Sequence, residues 1–406
     1  MKRPLAILAA LALCAAAQRP AARTVATASL AAGPYPYVPG SLIALALDGT
    51  SEPAHVEVLG AGTLDGTMFT VSPNPNDGAP TIVAASRGSL AMQQLAIAPP
   101  PDPKQPFLAV ASYDAGIVFH EAAPPFRALS ALGIGGAPSD VAIDPSGRLA
   151  AGTTNGDRFA IATLAPWAPR NLTGIPFSDE VAVDPSSHAV YATNRDVNGA
   201  GALTRIAADG TVTQRVLGLT AEGLAIDAAR GRAYVANVND GTISIVDLHS
   251  MVELRRFPAV ARVFSLALSG DGSRLYATSN QSLSSLFSAA GSAVAFDVTS
   301  AVPRRIARSK ALSFPLGIAL DERRGHVIVT DESDNTIDVL SLHLELLSVV
   351  PTCRTPWKPT VDGDRLYVPC ARSDEVDAID LRTLHRIPGA PFATGGYPLG
   401  VAVWHP

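Results

Sequence analysis

The sequence predicts an all-β protein, and three features carry that expectation. Short apolar runs separated by Gly, Pro, Asn and Asp fill most of the chain, which is the punctuation of strands and tight turns. Segments such as "TISIVDL" (242–248) alternate apolar and polar residues with period two, as a half-buried strand does, and the "VNDG" before it supplies residues that tolerate a tight hairpin. The third feature is repetition. "GLAIDAARGRAYVANVNDGTISIVDL" from Gly223 returns in degenerate form from Asp140, Glu180, Ser265, Gly317 and Lys358, and a fragment "GVAVWHP" ends the chain.

The repeat sets the architecture. A marker position is held by Asp144, Asp184, Asp227, Ser269, Asp321, Asp362 and Trp404, mostly about 40–43 residues apart, the span of one four-stranded blade. Each unit reads as an inner strand (Gly223–Asp227 in the clearest copy), a second (Arg232–Asn237), a third (Thr242–Leu248) and a weaker outer strand. Such a sheet is apolar on both faces and needs cover on both. Radial stacking around an axis provides it and leaves only short outer edges exposed. Residues 107–132 supply a second, third and outer strand with no inner one, and "LGVAVWH" supplies an inner strand with no partners. Joining them completes a ring, so the predicted fold over 107–406 is a seven-bladed β-propeller. One gap, from Ser269 to Asp321, is about 52 residues, and its excess lies in Asn280–Ser292. That insertion is either a binding loop or a tolerated surface insertion.

Residues 37–98 do not carry the repeat. Short strands such as "SLIALALDGT", "AHVEVLG" and "PTIVAASRG" suit a small antiparallel β-sandwich, or strands that decorate the propeller's side. "APPPDPKQP" makes residues 99–106 a stiff proline-rich linker. Ahead of both, Lys2 and Arg3, the apolar Leu5–Leu13 and "AAA" at 15–17 read as a signal peptide over 1–17, with a linker over 18–36. A periplasmic or secreted protein is expected. Cys14 raises a lipoprotein alternative, though Leu13 stands where such signals carry a small residue. No run is long enough for a transmembrane helix.

The strands quoted above, with "AVYATNRD", "RLYATSNQ", "HVIVTDESDNTIDVL" and "RLYVPCARSDEVDAIDL", resemble the YVTN β-propeller repeat over roughly 107–406. "GTLDGTMFTV" followed by "TIVAAS" resembles bacterial Ig-like domains. The propeller resemblance implies the fold and leaves function open, because such propellers serve as surface proteins, as non-catalytic subunits and as lactonase-like enzymes. "RLAAGTTNGD" lacks the signature Tyr, and Ser269 replaces the marker acid.

Composition narrows the classes. With 47% apolar and 17% charged residues a large core is available, and a net charge of −5 gives no basis for nucleic-acid binding. Beyond Cys14, the cysteines are Cys353 and Cys370, a disulfide in an oxidising compartment or two buried thiols. No C-x-x-C-H, H-E-x-x-H, G-x-S-x-G, P-loop or dinucleotide motif occurs.

Candidate site residues lie on one face, on the loops leading into the inner strands and on those joining the second and third strands. Acids collect there, among them Asp114, Asp140, Asp157, Asp179, Glu180, Glu222, Asp240, Asp331, Asp334 and Asp374, opposed by Arg195, Arg262, Lys358 and Arg372. Converging carboxylates suit Ca2+ or a cationic ligand; the same residues also simply make tight turns, and no calcium-loop spacing occurs, so no cofactor is assigned. Phe264, Phe314, Trp357 and Tyr397 precede successive inner strands and are candidates for an aromatic rim, or for packing between blades. Three functions remain: a scaffold presenting its loop face to a protein, glycan or cell-envelope partner; a lactonase-like hydrolase working in the channel, testable at Glu222, Arg262 and Lys358; and a non-catalytic subunit of a periplasmic redox enzyme.

Overall fold

The computed structural model describes residues 35–45, 55–65, 68–74, 77, 79–86, 89–154, 156–197, 199–280 and 291–406. The expected signal peptide and most of the Asn280–Ser292 insertion lie outside them.

Seven antiparallel sheets follow one another. Sheet I runs Pro138–Ile143, Arg148–Thr153, Phe159–Leu164 and Trp167–Leu172. Sheets II to VI open on inner strands Ser178–Val183, Ala221–Asp227, Val263–Leu268, Pro315–Asp321 and Thr360–Asp362. Sheet VII takes its inner strand from the C-terminus: Pro398–Trp404 pairs with Phe107–Ser112, which continues to Gly116–Glu121 and Ala128–Leu132. Chain ends some 300 residues apart therefore share one sheet, as expected from the unpaired fragments.

Burial follows the repeat. The second and third strands are buried almost throughout, for example Arg232–Asn237 and Thr242–Asp247, whereas the outer strand Val212–Val216 is exposed along its whole length. Seven apolar clusters lie between successive sheets: one joins Tyr234 and Ile243 of III to Leu275 and Phe296 of IV, another Tyr367 of VI to Val110 of VII, and another Phe107 of VII to Leu149 of I. This all-β, propeller-like arrangement explains why one sheet cannot stand alone, since each lends both faces to its neighbours.

The signature residues have separate jobs. The buried Tyr191 and Tyr276 hydroxyls reach the next sheet and donate to Leu248 O (2.8 Å) and Leu342 O (3.2 Å). Thr193, Thr278 and Thr330 each donate at 2.6 Å to the next sheet, to Glu222 O and Leu316 O on inner strands and to Trp357 O just ahead of one. Asn194 ties the loop before its own inner strand through Pro176 O at 2.7 Å. The marker acid is turn chemistry: Asp144 accepts from the Ser146 and Arg148 amides, and Ser269 keeps that role by accepting from the Arg274 amide.

Residues 42–94 form two three-stranded sheets. They share a core of Ile43, Phe69, Val71 and Ile82 with Ala115, Val118 and Ala131 of sheet VII. Amide–carbonyl bonds between 36–42 and 131–133 run along the outer edge of sheet VII, which is why that outer strand, unlike the others, is buried in its second half. The proline-rich stretch is anchored too, with Trp404 Nε1 donating to Pro103 O at 2.9 Å.

Candidate functional site

Every inner strand with its full pairing carries an irregularity near its start, and this register aligns the seven sheets. Taking Ala221 as reference, with Pro138, Ser178, Val263, Pro315, Pro356 and Pro398 equivalent, two layers of side chains follow. The upper layer is Ser139, Asp179, Glu222, Phe264, Leu316, Trp357 and Leu399; the lower is Asp140, Glu180, Gly223, Ser265, Gly317, Lys358 and Gly400. A Cβ on Gly223 would collide with Phe264 O, one on Gly317 with Pro359 and the Trp357 carbonyl, and one on Gly400 with the Asp140 carboxylate. The lower layer is thus where neighbouring backbones approach most closely, and glycine is the residue that fits.

Its charged side chains, drawn from sheets I, II and VI, meet. Lys358 Nζ lies 2.7 Å from Asp140 Oδ2 and 3.4 Å from Glu180 Oε2. Glu180 also accepts from the Leu224 amide (2.8 Å) and the Ser265 hydroxyl (3.2 Å), and Asp140 from the Val181 amide (3.0 Å). Burial pushes the Glu180 carboxyl up to about 7, against the pull of Lys358. Burial works against the Lys358 ammonium as well, yet Asp140 and Glu180 hold its pKa above the ordinary lysine value. Its side chain keeps 28% of its surface accessible.

Above this plug sits a second charged group. Arg195, at the end of the second strand of sheet II, lies 2.9 Å from Asp179 and 3.4 Å from Glu222 Oε1. Glu222 is 7% exposed, and its Oε2 has no hydrogen-bond partner. Burial, then the adjacent Asp179 carboxylate, raises the Glu222 pKa well above the ordinary range, with Arg195 opposing. A buried carboxyl that holds its proton more tightly than usual, beside a second carboxylate, is the usual setting of an acid–base pair.

The aromatic candidates divide. Phe264 and Trp357 share the upper layer and meet edge to face, with ring centroids 6.2 Å apart. Phe314 and Tyr397 do not share that register; they stand two positions earlier, on the rim, where Tyr397 meets Tyr113 at 6.0 Å. The same rim position holds Arg262, whose Nη1 reaches Asn239 Oδ1 at 3.5 Å and which stands apart from the carboxyl cluster. Five of the rim residues, Phe177, Thr220, Arg262, Thr355 and Tyr397, have φ between 46° and 60°. The expectation of four equivalent aromatics is corrected by the strand pairing: Phe314 and Tyr397 precede the first paired residues of their strands, Pro315 and Pro398, whereas Phe264 and Trp357 follow theirs, Val263 and Pro356.

Glu180 and Arg195 are the site members that sequence reasoning left among the general surface charges. Among the described residues no group of three or more His, Cys, Asp or Glu side chains is arranged to hold a metal ion. His120 is structural, bonded to Phe126 O and Thr394 Oγ1, and burial lowers its pKa to about 4. Cys353 and Cys370 form a disulfide across the upper edge of sheet VI, with Cα atoms 5.6 Å apart. No helix among the described residues is long and apolar enough to cross a membrane.

No family model matches the chain, and no curated protein matches it. Solved structures do. A functionally unknown protein from Desulfotomaculum acetoxidans is 14% identical with a TM-score of 0.62, covering 74% of this chain and 99% of its own. A protein from Bacteroides fragilis, described provisionally as a 6-phosphogluconolactonase, is 10% identical with a TM-score of 0.61 over 75% and 99%. A Bacteroides uniformis protein with the same provisional description is 14% identical with a TM-score of 0.60 over 74% and 99%. At these identities the likeness shows a shared propeller-like fold.

Proposed function

We propose that the chain is a lactonase-like hydrolase acting on a small molecule at the mouth of a closed seven-bladed propeller, with an Ig-like module docked on its side, exported to the periplasm or beyond. Ring closure is supported by the Pro398–Trp404 pairing and by the unbroken succession of apolar clusters. Export is supported by the leader pattern and the disulfide.

The observation that carries the reading is the Asp179–Glu222 carboxyl pair beside Arg195. Water attacks the lactone carbonyl while Asp179 takes its proton. The Arg195 guanidinium stabilises the oxyanion that forms. Collapse breaks the ring C–O bond, and the departing alkoxide takes the proton of Glu222. Asp179 then returns its proton to Glu222, restoring both groups. The provisional lactonase description of two similar structures supports this reading over the scaffold. The scaffold draws on one observation, the exposed Val216, Leu254, Ile306 and Leu347 of successive outer strands.

Hydrolysis of γ- and δ-lactones by the mature protein, followed by acid release, tests the proposal. Glu222→Gln and Asp179→Asn are each expected to lower kcat by roughly 100-fold or more. A folded protein that opens no lactone overturns it.

A further inference from the structure

The seven outer strands are not guarded alike. Trp167–Leu172 of sheet I, Val212–Val216 of II, Glu253–Pro258 of III, Arg304–Arg308 of IV and His385–Arg386 of VI each carry arginine, the kind of charge that keeps an open sheet edge from pairing. Two carry no charge, Ala128–Leu132 of VII and Leu346–Pro351 of V. The first is covered by this chain itself. The Ala131 amide donates to Pro36 O at 2.8 Å and the Val38 amide to Ala131 O at 2.9 Å, so an extended segment lies along that edge. The second has no further strand beside it among the described residues, and Leu346, Leu347 and Val349 are each about half exposed.

The two edges match residue for residue. Ser130 stands opposite Phe119 and Ser348 opposite Val339, and one extra residue, Leu129 or Leu347, precedes each serine. Ala131 and Val349 come next, opposite Val118 and Asp338. Ala131 turns its N–H and C=O outward to the added segment. In the shared register Val349 does the same, outside the ladder of its own sheet. An uncharged edge with outward backbone groups is a template for another strand.

The charges at its two ends say which strand. Glu345 comes just before the strand and Arg354 shortly after it; both are exposed, and neither has an ion-pair partner among the described residues. We propose that Leu346–Pro351 pairs with the same strand of a second copy of this chain, antiparallel about a two-fold axis at Val349, giving a homodimer with one sheet running through both copies. The two Val349 residues then exchange N–H and C=O with each other. Glu345 of each copy comes to the end of the strand from which Arg354 of the other departs, whereas parallel pairing would set Glu345 against Glu345. The arginine-bearing edges would bring like charges together in such a pair, which leaves sheet V as the self-complementary one. Pro351 has no N–H, so the shared ladder is short and the association reversible. The outer strand is the farthest from the inner strand in its sheet, so the mouth stays free, and the inference is independent of the chemistry proposed there.

Sedimentation equilibrium of the mature protein from about 1 to about 100 µM tests this, and a monomer–dimer equilibrium is expected within that range. Val349→Pro removes the outward N–H without touching the sheet's own ladder, and Leu347→Lys puts a charge on the edge. Each should weaken association by about tenfold or more, while Val216→Lys on the open edge of sheet II should leave it unchanged. Glu345→Arg should weaken the dimer, and adding Arg354→Glu should recover it, as antiparallel copies of one strand require. A protein that stays monomeric at about 100 µM overturns the inference, including one that binds extended peptides or lipid vesicles instead. So does a dimer that tolerates both edge changes or shows no recovery on charge reversal. If Val349→Pro fails to fold, Leu347→Lys and the charge reversal, all at exposed positions, decide.

Discussion

Thr193 donates its hydroxyl to the carbonyl oxygen of Glu222, one sheet away, at 2.6 Å. The same hydroxyl oxygen accepts from the Glu180 amide at 3.0 Å. One side chain thus joins two sheets and fixes the backbone of two site carboxyls. Thr278 and Thr330 repeat the device between IV and V and between V and VI.

Thr193→Val keeps the shape and removes both bonds, leaving a buried amide and a carbonyl without partners. It should cost about 2–3 kcal/mol, read as a shift in urea midpoint at unchanged slope, while Thr193→Ser should recover most of it. A neutral Thr193→Val would show that inter-sheet packing alone sets this junction.

Lys358→Met should be among the most damaging single changes in the chain. It strands the buried Asp140 and Glu180 without their cation, at about 3–5 kcal/mol. Adding Glu180→Gln to Lys358→Met should restore part of that loss, because one of the two uncompensated charges disappears. Strict additivity of the two changes would contradict the ion-pair geometry.

Glu180 gives a pH dependence whose sign can be worked out. Its folded pKa, about 7, lies above the ordinary 4.5, so the native state holds this proton more tightly than the unfolded chain. The stabilisation is present in full below pH 4.5 and is lost as pH rises through 7, of the order of 3 kcal/mol in all. His120, lowered from 6.5 to about 4, acts the other way: its contribution is present above pH 6.5 and lost as pH falls through 4. The difference between unmutated and Glu180→Gln stability curves isolates the first effect. It should slope between pH 4.5 and 7, and a flat difference would refute the assignment.

The Cys353–Cys370 bond closes a loop with a sequence separation of 17 at the upper edge of sheet VI. Cys353→Ser with Cys370→Ser should lower stability by about 3 kcal/mol. Thiol titration of the denatured protein, with no reductant added, should find neither cysteine free.

Much of this protein was written locally. Period-two alternation, turn residues and the marker acid are short-range signals, and they determined the sheets, the number of repeats and the completion of the last sheet by the C-terminal strand. Part of the site was legible as well: the first residues of the aligned copies, Asp140, Glu180, Gly223, Ser265, Gly317, Lys358 and Gly400, form the lower layer, where a mostly small column is broken by two acids and a lysine. What only the tertiary structure decided is which of these meet. Asp140 and Lys358 are 218 residues apart, and their contact depends on the rotation from sheet to sheet and on the reach of a lysine between sheets, neither of which any local pattern records. The pairing register likewise separated Phe314 and Tyr397 from Phe264 and Trp357, because the first paired residue of each strand, which falls after the first two and before the last two, is fixed only when the strands meet. The raised pKa of Glu222 has the same origin: burial and a neighbouring carboxylate exist only once distant strands have come together.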